Sequence, residues 1–311
     1  MALAPVPIAT KDAEHSAQQF RMMIKDLARG NQGVTEGDDM KVTALSTPGA
    51  GVQISDGSAV IAGKVSPVQG FYTAYNIGSD TVDIAATGGV GRSDMIVLRV
   101  EDPEYEGTRD PGGEEPDPIV FFEVVSNVSS SATTVPSGYS AIPLARIDIP
   151  ASTATITNAM VKDLRQVANP RRDRRIYTAY PASSSSLTKT AGYKDWPADA
   201  QWSVPIPAWA GRANIVVTMA GISMDTGAVW VNFQTVIGSR AGQDSVLDDN
   251  QTGVRRSTEV IADTFTMPSA MRGTTQTLKV QASPNLPMNG NISVNNGTAI
   301  VADVEFVEDV Y

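Results

Sequence analysis

The chain of 311 residues contains no cysteine. Thiol nucleophiles, Cys-ligated zinc, iron–sulfur clusters and disulfides are therefore excluded together. Histidine occurs once, as His15, so any His-dependent triad or His-rich metal site would have to be built on that residue. It lies between Glu14 and Ser16, the surroundings of a solvated helix face. Basic residues are outnumbered: 24 Lys and Arg stand against 34 Asp and Glu, a net charge of −10. Such a surface does not suit nucleic acid, whose phosphates require clustered cations. No window approaches about 18 consecutive apolar residues, so no membrane insertion is expected. The opening MALAPVPIATKDAEH has neither the basic start nor the continuous apolar stretch of a secretory signal, which points to assembly in a cytoplasm. No nucleophile elbow, phosphate loop or zinc-protease motif occurs, and Gly88-Gly89-Val90-Gly91 lacks the helix that a dinucleotide site needs. No cofactor and no metal is expected.

What the chain does have is punctuation, with 26 Gly and 19 Pro, and between the turns many short apolar runs. One helix opens the pattern. Phe20, Met23, Ile24 and Leu27 recur on one helical face, Thr10 or Asp12 can cap the start and Gly30 can end it, giving an amphipathic helix over about 11–29. A lone helix of this kind must dock its stripe, either on its own domain or on a neighbouring subunit.

Past Gly33 the period becomes that of strands. Val52–Ile54 and Ala59–Ile61 flank Asp56-Gly57, which reads as a hairpin turn. Further strands are expected at Gly70–Tyr75, Thr81–Ala85, Met95–Val100, Ile119–Val125, Ala141–Ile149 and Thr153–Ile156. A second series follows at Arg175–Tyr180, Gln201–Ile206, Ala213–Ala220, Ala228–Ile237, Arg256–Met267, Thr275–Ala282, Gly290–Val294 and Thr298–Val307. The expected fold is mainly β, an N-terminal amphipathic helix followed by two antiparallel β-sandwich domains, the second jelly-roll-like. Its boundaries read as a helical segment 1–33, a β-sandwich 34–168, a basic linker 169–176 and a C-terminal β-sandwich 177–311.

Two charge runs interrupt this plan. Residues 101–118 carry eight acids against Arg109 alone; like-charge repulsion favours a solvated loop extended from the body, and the alternative is a weak calcium or partner site, although the spacing does not match an EF-hand loop. Lys162 to Arg175 carries six bases and two acids. Its Arg171, Arg172, Arg174 and Arg175 are either a solvated joint or a grip on an acidic partner. All four tryptophans fall between 196 and 230. Trp230, central in an apolar strand, is expected in the core, whereas Trp196, Trp202 and Trp209 are candidates for glycan or receptor contact. Asp225, Asp244, Asp248, Asp249, Glu259 and Asp263 are the acids from which a carboxylate pair for glycoside hydrolysis would have to come.

The order of motifs over about residues 10–168 resembles the minor tail or baseplate proteins of siphophages that infect Gram-positive, especially actinobacterial, hosts. The resembling residues are the helix with Phe20-Arg21 and Gly33-Val34, the segment Val52–Gly63, and the run from Arg92 to Val100 before an acidic loop. Ile142-Pro143-Leu144-Ala145-Arg146-Ile147 and Ile156-Thr157-Asn158 leading to Asp163-Leu164-Arg165 complete the series. The resemblance implies a structural, non-enzymatic virion protein at the tail tip, a fibre-like homo-oligomer, most simply a homotrimer, contacting other tail-tip proteins. Phe20, Met23, Ile24 and Leu27 would then serve attachment, and the C-terminal domain would face a host cell-surface glycan. The alternatives are a carbohydrate depolymerase using Asp and Glu pairs and a capsid head-fibre or decoration protein.

Overall fold

A computed structural model describes residues 7–112 and 116–311; Glu114 and Glu115 of the acidic loop lie outside the described residues. The helix, α1 (Ala17–Leu27), starts later than the periodicity alone predicts, because Ser16 rather than Thr10 or Asp12 caps it. The Ser16 hydroxyl accepts from the Gln19 N–H at 3.2 Å, and the Gln19 side chain accepts the Ser16 N–H at 2.8 Å, a reciprocal capping box. At the other end the Gly30 N–H returns to the Lys25 carbonyl and the Arg29 N–H to Asp26, so the final carbonyls are satisfied.

The chain divides into two units, residues 1–170 with 310–311, and residues 171–309. The described residues of the first unit form ten strands: β1 (Gly33–Val34), β2 (Val42–Ala44), β3 (Gly51–Ile54), β4 (Gly57–Ala62), β5 (Phe71–Asn76), β6 (Asp80–Asp83), β7 (Arg92–Val100), β8 (Val120–Val128), β9 (Ala141–Ile149) and β10 (Val161–Asp163). They form three antiparallel sheets, ordered β1-β4-β5, β2-β3-β6 and β10-β9-β7-β8. All three contribute to one apolar core that includes Val52, Ile54, Ile61, Ile96, Leu144 and Ile147. Burial of each such side chain contributes roughly 1.5–3 kcal/mol.

Two expectations fail here. β3 and β4 do not form a hairpin, since each pairs with other strands. At Gly57 the backbone takes φ +141°, and a Cβ there would meet Asp39 at 2.6 Å, so the glycine lets the chain switch sheets against a neighbouring segment. Thr153–Ile156 is not a strand; Ile156 is buried, but its N–H bonds the carbonyl of Gly49 outside any ladder.

The second unit carries twelve strands. They are β11 (Arg172–Ala179), the short β12 (Ser185–Ser186) and β13 (Lys194–Asp195), β14 (Gln201–Pro205), β15 (Ala210–Met224), β16 (Val229–Ile237), the short β17 (Arg240–Ala241), β18 (Ser245–Asp249), β19 (Arg255–Thr266), β20 (Thr275–Pro284), the short β21 (Ile292–Val294) and β22 (Ala299–Glu308). The eight longer strands pair as β11-β22-β15-β19 in one sheet and β14-β20-β16-β18 in the other. In chain order these are the first, eighth, third and sixth strands, then the second, seventh, fourth and fifth. That order is the jelly roll, which arises when one long antiparallel ribbon wraps round a core. Between the sheets lie Phe233, Phe306, Ile215, Met219, Ile222 and Val304.

The basic segment expected as a linker is, from Arg172 onward, the first strand of this jelly roll. Its alternation of exposed and half-buried residues matches pairing along all of β22, from Arg172 opposite Val307 to Ala179 opposite Ile300. Among the described residues no helix is long and apolar enough to cross a membrane.

Candidate functional site

The attachment stripe is divided by the docking of α1. Ile24 packs on a small cluster with Ala28, Ala62 and Phe71, whereas Phe20, Met23 and Leu27 are exposed, Leu27 by 71 %. What holds the helix down is a residue the apolar pattern did not reveal. Arg21 is only 7 % exposed. Its guanidinium lies 2.7 Å from Glu104 and 3.3 Å from Asp102, and donates to the Gln69 carbonyl at 2.7 Å and the Tyr105 hydroxyl at 2.9 Å. It also sits over the rings of Tyr105 and Tyr72 at 5.2 and 5.6 Å, a cation–π sandwich. Gly70, at φ +79°, leaves the room that Arg21 needs, for a Cβ there would meet the arginine at 2.7 Å. Tyr72 is pushed up by burial and by its hydrogen bond to Asp102.

The first part of the acidic loop, Glu101 to Arg109, is therefore tied down, while 110–112 and 116–118 are exposed as a solvated loop would be. Besides the Arg21 pair, Glu101 is held by Arg99 at 3.0 Å and Arg109 at 2.9 Å, and Glu106 approaches Arg99 at 3.5 Å. Arg21, Arg99 and Arg109 thus offset the charge of Glu101, Asp102, Glu104 and Glu106.

The four arginines of the basic segment are engaged within the jelly roll. Arg171 pairs with the buried Glu308 at 2.6 Å and covers the Trp209 ring at 5.5 Å, while Arg172 pairs with Glu305 at 3.2 Å. Arg174 pairs with Asp303 and Arg175 with Asp173.

Several carboxylates are held below their ordinary value of 3.8: Asp303 by Arg174, Asp148 by Arg146, and Asp195 by Lys279 and Gln281. A depressed carboxylate stabilises the fold above its unfolded pKa, and that stability is lost as the pH falls through the folded value. The thermal midpoint is therefore expected to hold from pH 7 to about pH 5 and to fall below about pH 4. A midpoint that rises on acidification would contradict these ion pairs.

The tryptophans reverse their expected roles. Trp196 is 5 % exposed and packs at 6.2 Å from the Phe233 ring, deep in the core. Trp202 and Trp209 pack against the same core, half-buried, and the Trp202 indole donates to the Thr178 carbonyl at 3.4 Å. Trp230 is 48 % exposed. Along β16, Val229, Val231 and Phe233 face inward, which by the alternation of a strand sends Trp230, Asn232 and Gln234 to the outer face. The signal was in the sequence: the indole shares its parity with two amides.

Around Trp230 the outer face is polar and ordered. Asn285 donates to Asn232 at 2.6 Å, Asn232 donates to Asp244 at 3.2 Å, and the Tyr193 hydroxyl donates to the other Asp244 oxygen. Burial and that carboxylate push Tyr193 up to about 12. A second ladder crosses the same face: Gln234, 8 % exposed, donates to Gln281 at 2.9 Å, and Gln281 and Lys279 both donate to Asp195, at 2.8 and 2.9 Å. Asp248 stands opposite Trp230, and the exposed Val246 opposite Asn232.

The remaining acids weighed for hydrolysis each have local hydrogen-bond partners. Asp225 is held low by Asn291 and Asp249 by Arg255, while Glu259 accepts from Ser245 and Asp263 from the Gln243 N–H. Among the described residues no group of three or more His, Asp or Glu side chains is placed to hold a metal ion.

No family model matches the chain, and no curated protein matches it. Among solved structures, one of infectious bursal disease virus, Gx strain, aligns with TM-score 0.24 and 10 % identity over 88 % of this chain and 82 % of its own. The VP2 subviral particle of that virus gives 0.23 and 10 %, over 90 % and 74 %. The Cry4Aa toxin from Bacillus thuringiensis gives 0.22 and 8 %, over 90 % and 54 %. With scores this low, these likenesses carry neither fold nor function over to this chain.

Proposed function

We propose that this chain is a non-catalytic structural and adhesion component of a phage virion, located at the tail tip and assembled as a homotrimer in the host cytoplasm. In this reading the first unit attaches to neighbouring tail-tip proteins, and the jelly roll faces the host surface. The observation that carries the reading is α1: it is fixed to its own unit by Arg21, yet leaves Phe20, Met23 and Leu27 uncovered. A rigid helix that keeps an apolar stripe open is an element prepared for a partner, because solvent exposure of such a stripe stabilises nothing. The absence of cysteine suits a particle assembled in a reducing compartment, where burial and self-association must supply the stability. Jelly rolls serve as capsid and lectin modules alike, so the assignment rests on sites and not on fold. Asp225 and Asp249 are held low by their partners, so neither of these two suits the raised general acid that a glycoside hydrolase needs.

Replacing Phe20, Met23 and Leu27 together by Ser is expected to change stability by less than about 1 kcal/mol, since all three are exposed. Incorporation into particles, followed by immunogold labelling, should be lost. Normal incorporation of the folded variant would refute the attachment role.

A further inference from the structure

We propose that the outer face of the β14-β20-β16-β18 sheet is a binding site for a neutral oligosaccharide. Trp230 is the stacking platform, and Asn232, Asn285, Asp244 and Gln281 read the hydroxyls. This inference rests on the adhesion reading above and names its ligand class and its site.

Three features select a sugar. The first is the indole: Trp230 is half exposed while its neighbours Val229 and Val231 are fully buried, so its ring adds little to the core and presents an apolar surface to solvent. An indole face accepts the C–H surface of a pyranose, and its rigidity keeps the entropic cost of stacking low.

The second is the polar array. Each hydroxyl of a sugar both donates and accepts, and the matching protein groups are amides and carboxylates held in place. Here Asn285, Asn232 and Asp244 are linked in one hydrogen-bonded chain closed by Tyr193, and Gln234, Gln281 and Asp195 in another anchored by Lys279. These contacts order the side chains before any ligand arrives, which lowers the cost of binding. The groups stand on the face of the sheet and not on a free edge, so a peptide strand has no backbone row to extend.

The third is charge. Asp195, Asp244 and Asp248 share this face with Lys279, whose ammonium is tied to Asp195. An anionic glycan would meet repulsion here, whereas a neutral one would not. The two polar chains cross strands about 4.8 Å apart, so an extended saccharide lying across the strands can meet successive groups.

The test is titration of the full chain with tetra- to hexasaccharides of glucose, galactose, mannose and arabinose, followed by calorimetry and tryptophan fluorescence. At least one member is expected to bind, and Trp230→Ala and Asn232→Ala should each weaken it about tenfold or more. Trp202→Phe, on the core side, should leave the affinity unchanged. Binding insensitive to Trp230→Ala overturns the site. So does a panel in which no neutral member binds, or in which only uronic-acid oligosaccharides or a host surface protein bind. Trp230→Ala leaves α1 intact, so particles carrying it separate the two readings. Assembled particles that no longer attach to cells support both. Assembled particles that attach normally overturn this site and leave the virion role standing.

Discussion

Arg21→Ala is expected to release α1 from the first unit and to lower that unit's stability by about 3 kcal/mol. With the guanidinium gone, the Asp102 carboxylate keeps the Tyr72 hydroxyl at 2.7 Å and the Glu104 N–H at 3.0 Å, but loses its cation while staying nearly buried. Removing one partner of a buried pair costs about 3–5 kcal/mol, and the lower end applies because Glu104 is half exposed. Glu104→Gln should therefore cost less than about 1 kcal/mol. Arg21→Met combined with Asp102→Asn should recover part of the loss, since neither charge is then stranded. Hydrogen exchange provides the readout: the amides of Ala17–Leu27 should lose protection in Arg21→Ala while those of β7 and β9 keep theirs. If α1 stays protected in that variant, apolar contact at Ile24 holds the helix and the arginine network does not.

Trp196→Ala is expected to cost about 3–5 kcal/mol and to lower the melting transition of the jelly roll by roughly 10 °C, the price of an unfilled cavity beside Phe233. Trp230→Ala, by contrast, should stay within about 0.5 kcal/mol. Trp196→Phe should be milder than Ala, because it keeps a ring in the space beside Phe233, and the buried indole N–H of Trp196, which has no hydrogen-bond partner among the described residues, gives up no bond. Calorimetric scans of the three variants decide the matter. If Trp230→Ala falls as far as Trp196→Ala, the inner and outer faces of β16 are exchanged.

Much of the strand pattern was legible because it is local. β9 runs over Ala141–Ile149, the segment its alternation predicts, and β15, β16, β20 and β22 contain their expected apolar runs. The second sandwich was readable as jelly-roll-like from the number and spacing of its strands. The pairing that creates it was not, since Arg172 meets Val307 only in the folded chain. Distance in sequence also hid Arg21, whose partners Asp102 and Glu104 sit in a loop that reads as solvated, and it hid the sheet switch at Gly57, which depends on Asp39. β18 was missed because Ser245–Asp249 ends in two acids and reads as loop. The tryptophans teach a different lesson. Trp196 stands beside Pro197, a loop signal, yet it follows a short strand paired to β20. The apolar run around Trp230 concealed a strict alternation, which parity with Asn232 and Gln234 would have disclosed.

The jelly roll begins on β11 and ends on β22, and these two strands lie side by side along their whole length. A module whose ends emerge together behaves as a cassette. An insertion or excision at that single point would move the jelly roll as one unit and keep the pairing of its first and last strands.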